Sequence, residues 1–149
     1  MIQMKKVLIL YTITAALFTM STNASAREVA FQGCAGLYIE AANARDLTYG
    51  HLAEDRCSEE GNDCYTTKHQ DERATAYFSL RGLAAEIYKG VLRGECLDEN
   101  VSKDDISKLQ SLNAQYFLSL DYFEGATPVM ENLRVLETEL RLVTEKALK

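Results

Sequence analysis

The chain has 149 residues, 47% hydrophobic and 26% charged, with a formal net charge of −6. Eight glycines and one proline exclude a collagen-like chain, and the apolar content is too high for extended disorder. The acidic balance argues against nucleic acid or an anionic membrane as the main partner.

Residues 1–26 read as a cleaved signal peptide. Lys5 and Lys6 give a basic start, and an uncharged apolar run, VLILYTITAALFTM, spans 7–20. Ala24-Ser25-Ala26 then supplies the small-x-small pattern that a signal peptidase binds as an extended strand. The alternative is a membrane anchor, but a spanning helix needs about 20 apolar residues and this run is shorter. No cysteine follows the cut, which argues against a lipoprotein anchor. The expected product is one domain, 27–149, of 123 residues with 14 basic and 22 acidic groups. The Lys-Lys start points to a bacterial periplasm, with release to the medium as the other destination.

The first expected helix, near Val29–Leu52, presents Phe31, Cys34, Leu37, Tyr38, Ala41 and Thr48 on one broad face. Gly33 and Gly36 thin its start, and Gly50 ends or bends it. The stretch CSEEGNDC at 57–64 is a turn. A second helix follows over about Thr66–Leu92, with Ala76, Leu80, Leu83, Ala84, Ile87 and Val91 facing a core. In the third, Ser102 and Asp105 have N-cap spacing, and Val101 with Ile106 has the spacing of a hydrophobic staple. Ile106, Leu109, Leu112, Tyr116, Leu120 and Phe123 continue its stripe as far as Gly125. The fourth opens with Thr127 as N-cap and Pro128 at the first helical position, and carries Leu133, Leu136, Leu140, Val143 and Ala147 at 3-4-3-4 spacing. There is no alternating run rich in Val, Ile and Thr. The fold expected is an all-α, antiparallel four-helix bundle made of helical hairpins.

All four cysteines, Cys34, Cys57, Cys64 and Cys96, lie in the mature part and read as two disulfides in an exported chain. Their spacings, with 22, 6 and 31 intervening residues, do not suit zinc, and no C-x-x-C is present. Three pairings are possible. An antiparallel hairpin of the first two helices favours the nested one, Cys34–Cys96 with Cys57–Cys64. In the chain-entropy model the long loop contributes about 4 kcal/mol and the short one about 2.5 kcal/mol.

Chemistry is sparse. His51 and His69 flank the 57–64 turn and, with Asp71 or Glu72, form the one set from which a metal site or pH sensor could be built. Acidic residues crowd 54–63 and 95–105 without EF-hand order, and read as solvated loops. No nucleophile elbow or phosphate loop occurs, so neither an enzyme nor a cofactor is expected. Tyr38, Tyr77, Tyr88 and Tyr116 fall on or beside core faces and read as packing residues.

A second apolar face remains. At about 100° per residue, Leu118 points away from the core of the third helix and Tyr122 lies on the same outer side. Val135 and Leu142 form an outer line on the fourth helix, and Phe78, Ala85 and Leu92 form one on the second. Three readings compete: burial under an irregular bundle or under the chain's N-terminal part, a surface for a second copy or another exported protein, and a groove for an apolar small molecule. The leading expectation is a non-catalytic interaction protein that uses Leu118, Tyr122, Val135 and Leu142. A periplasmic carrier of a small ligand or metal is the alternative.

Overall fold

Four helices arise where the apolar periodicity places them. A computed structural model describes residues 31–149; the expected signal peptide lies outside the described residues. The helices are α1 (Gly33–Gly50), α2 (Thr67–Arg93), α3 (Lys103–Asp121) and α4 (Ala126–Ala147), with a short 3-10 turn at Asp98–Asn100 before α3. Among the described residues there is no strand, and one isolated antiparallel bridge pairs Cys57 with Cys64. Helix α1 packs on α2 and α3 packs on α4, and these pairs are joined by α1–α3 and α2–α4 contacts. This is the expected four-helix architecture. None of the described helices is long and apolar enough to cross a membrane.

The core is the convergence of the four stripes. Leu37, Leu80, Ile87, Leu109, Tyr116, Leu120, Leu136 and Leu140 are almost entirely removed from solvent. Burying one such side chain contributes about 1.5–3 kcal/mol relative to leaving it exposed. Two expected core residues lie elsewhere. Phe31 precedes α1, and Val91 is in the last turns of α2; both are nearly half exposed. Tyr116 packs in the core as expected, and its hydroxyl meets Thr48 Oγ1 at 3.1 Å. Burial raises the pKa of that phenol.

Both disulfides form in the nested pairing, Cys34–Cys96 and Cys57–Cys64. The long one ties the start of α1 to the segment after α2, and the short one closes the α1–α2 connection. Such crosslinks suit an oxidising compartment.

Helix starts divide into two kinds. Helices α2 and α3 cap themselves. Thr66 Oγ1 accepts from His69 N–H while His69 Nδ1 accepts from Thr66 N–H, and Ser102 and Asp105 exchange the same pair of bonds. Helices α1 and α4 have no side-chain cap of their own. Asp98, after Cys96, accepts from Cys34 N–H at 2.9 Å at the start of α1. Asp63, before Cys64, accepts from Thr127 N–H at 3.0 Å at the start of α4. Thr127 is therefore not the N-cap that its position beside Pro128 suggests. Gly125 occupies that place, α4 begins at Ala126, and the Thr127 hydroxyl turns to Asp63.

Candidate interaction surfaces

Each residue of the expected partner face is exposed. Leu118 and Val135 are about half exposed, at 49% and 47%, Leu142 is at 55%, and Tyr122, which caps the C-terminus of α3, is at 71%. Nothing in the described chain covers them, so the reading in which an irregular bundle buries them does not hold for the described residues. The four side chains form two lines, one on each helix. Lys108 pairs with Glu139 at 2.8 Å and Lys146 with Asp105 at 2.6 Å, and these bridges run from α3 to α4. Leu118 and Tyr122 lie at the end of α3, beside the turn at Gly125, and Val135 and Leu142 lie in the middle and towards the end of α4.

The outer line on α2 belongs to a larger feature. Phe78 and Leu92 are well exposed. Tyr77 stacks at a tilt on Phe78, ring centroids 5.4 Å apart, and meets Tyr49 of α1 at 5.4 Å. Further along the same pair of helices Tyr38 meets Tyr88 at 5.8 Å. The α1–α2 seam thus carries aromatic clusters towards both of its ends. Tyr38 and Tyr77 are half-buried, while Tyr49 and Tyr88 are more than half exposed. Tyrosine supplies large contact area with only two side-chain torsions to freeze, which suits an interface. The sequence reading assigned Tyr38, Tyr77 and Tyr88 to packing and did not single out Tyr49. Only the antiparallel register, which sets 38 beside 88 and 49 beside 77, reveals the stripe.

Between α1 and α3 lies an open groove of about 500 Å³, lined by Leu47, Ala114 and Phe117 with His51 and Asn113. Asn113 is buried and donates from Nδ2 to the Glu40 carboxylate at 2.7 Å and to the Glu40 carbonyl at 3.1 Å. Glu40 is itself buried, and the loss of water raises its pKa against the opposing effect of the Asn113 bond.

The two histidines serve local structure. His51 follows α1, and its Nδ1 meets Glu54 Oε2 at 2.8 Å. His69 is engaged in the α2 capping box, and its ring stands edge-on to Tyr65. Among the described residues no three His, Cys, Asp or Glu side chains gather in an arrangement able to hold a metal ion.

Arg73 has no counterpart in the sequence reading. It is fully buried in α2. Its guanidinium lies over the Tyr65 ring, 3.8 Å from the centroid, and donates to the carbonyls of His51 and Glu54, the latter at 2.9 Å. The cation therefore sits beyond the negative end of α1, where it shares the His51 carbonyl with Glu54 N–H and adds a bond to the Glu54 carbonyl. Tyr65 shares this burial, which pushes its hydroxyl pKa up to about 12 against the lowering effect of Arg73.

The chain matches no protein-family model, and comparisons with curated proteins and with solved structures find no match.

Proposed function

We propose that this is an exported, disulfide-bonded helical protein of the periplasm that acts by binding another exported protein or a second copy of itself, and not by catalysis. The observation that carries the reading is the exposure of Leu118, Tyr122, Val135 and Leu142 on the outer lines of α3 and α4. Single exposed apolar side chains are ordinary on any protein surface. Here Leu118 and Tyr122 stand four residues apart at the end of α3, and Val135 and Leu142 seven apart on one line of α4, where a bundle normally places polar residues. The two internal crosslinks support the exported setting, because they persist where thiols are not kept reduced.

The test is light scattering of the mature chain, 27–149, at micromolar concentration, together with capture from an envelope extract. Leu118→Glu and Val135→Glu should abolish self-association or capture while leaving the urea midpoint nearly unchanged, since both positions are half exposed. A monomer that captures nothing, with variants that lose stability instead, refutes the reading.

A further inference from the structure

The start of α4 has an unusual supply of hydrogen-bond acceptors. Gly125, its N-cap, has no side chain to offer, and Pro128 brings no donor. The first two amides of the helix both turn to one residue outside it: Ala126 N–H to the Asp63 carbonyl at 3.4 Å, and Thr127 N–H to Asp63 Oδ2 at 3.0 Å. The Thr127 hydroxyl adds a bond to Asp63 Oδ1 at 3.1 Å. Gly125 has φ +154°, and a Cβ there would collide with the Asp63 carboxylate. The site is thus shaped around this aspartate.

Asp63 is held in place by a small closed loop. It precedes Cys64, whose bond to Cys57 closes the loop, and inside the loop it exchanges two bonds with Ser58, at 3.0 and 3.1 Å. The loop is otherwise largely exposed. Cys57 is exposed and Cys64 half-buried, while in the other disulfide Cys34 is only 3% exposed and Cys96 half-buried, so only the short crosslink has an exposed cysteine. The two crosslinks therefore differ in access to an attacking thiolate. The 57–64 loop also forms one wall of a cleft of about 660 Å³ whose other wall is Asp121–Glu124.

We propose that Cys57–Cys64 is a thiol-accessible redox switch that sets whether the N-terminus of α4 is capped. The reductant is a dithiol. Its thiolate attacks Cys57 Sγ, the Cys57–Cys64 bond breaks, and Cys64 Sγ leaves as a thiolate. The second thiol then displaces Cys57 Sγ and departs as the oxidised disulfide of the dithiol. Two electrons and two protons pass to the two cysteines. Without the crosslink the loop regains conformational freedom, Asp63 leaves the helix end, and the amides of Ala126 and Thr127 face water. Release of the loop also moves one wall of the neighbouring cleft.

The experiment is a dithiothreitol titration of the oxidised chain at neutral pH, read by alkylation and peptide mapping and by amide exchange in NMR spectra. Cys57 and Cys64 should be alkylated at lower dithiothreitol than Cys34 and Cys96. In that half-reduced form Ala126 and Thr127 should exchange about fivefold faster, the scale of a lost cap, with Leu109 unchanged. Asp63→Ala, with its disulfide intact, should give the same gain at Thr127, whose acceptor is the carboxylate, and a smaller one at Ala126, whose acceptor is the backbone carbonyl; reduction of that variant should add less than about twofold at Thr127. A paired Cys57→Ser, Cys64→Ser variant should show the same faster exchange at Ala126 and Thr127 without any reductant. Simultaneous reduction of both crosslinks, unchanged exchange at Ala126 and Thr127, or additive effects of reduction and Asp63→Ala would each overturn the proposal.

Discussion

Replacing Arg73 by Met keeps most of the side-chain volume and removes the buried cation. The Glu54 carbonyl then loses its side-chain donor, the His51 carbonyl keeps only the Glu54 N–H, and the Tyr65 ring loses the guanidinium above it. Hydrogen bonds from a charged group contribute about 1.5–3 kcal/mol each, and a desolvated cation–π contact about 2 kcal/mol. The variant recovers the cost of taking the guanidinium out of water, several kcal/mol. The balance is a net loss of about 3 kcal/mol. Urea unfolding with both disulfides intact measures it; with a slope of about 1.5 kcal/mol/M the midpoint falls by about 2 M. Arg73→Lys keeps the charge but cannot reach both carbonyls and cover the ring with one planar group, so it should lose about half as much. A methionine variant as stable as the parent, or more stable, refutes the reasoning, because the end of α1 would then not depend on the guanidinium.

Three further outcomes follow from buried polar groups and a tight approach. The Glu40 carboxyl has a pKa raised by burial, so the folded state holds its proton more tightly than the unfolded state. Its contribution is fully present below about pH 4.5 and is lost as pH rises through the folded value. Glu40→Gln, which still offers an oxygen to Asn113, should therefore gain stability relative to the parent between pH 4 and pH 7, as urea midpoints at both pH values would report. Tyr116→Phe removes the buried bond to Thr48 Oγ1 and should cost about 1–1.5 kcal/mol in the same assay. Gly33→Ala introduces a Cβ at φ +62° that collides with the Asp98 carboxylate. It should cost about 2 kcal/mol, combining left-handed strain with a displaced cap, and calorimetry would show the lowered Tm.

Local chemistry in the sequence was enough for the helices and the crosslinks. Apolar spacing marks each core stripe because a helix repeats every 3.6 residues, so Leu133, Leu136, Leu140 and Val143 must share a face whatever the partner. Ser102 with Asp105 marks a helix start because both bonds lie within one turn. The nested disulfides follow from joining two rods by a short link. The outward direction of Leu118, Tyr122, Val135 and Leu142 was legible for the same reason, since angle on a helix is a property of spacing alone.

Tertiary structure alone decided what depends on register between helices. Nothing in the local pattern singles out Arg73; only when α2 is laid against the end of α1 does its charge become the partner of the His51 and Glu54 carbonyls. The aromatic stripe exists because the antiparallel pairing of α1 and α2 sets Tyr38 beside Tyr88 and Tyr49 beside Tyr77. The caps on α1 and α4 come from aspartates 64 positions away, a distance at which no local pattern can signal a hydrogen bond. Intrahelical angle is fixed by the chain's own geometry, whereas which helices meet, and at what height, is fixed only when the whole core closes.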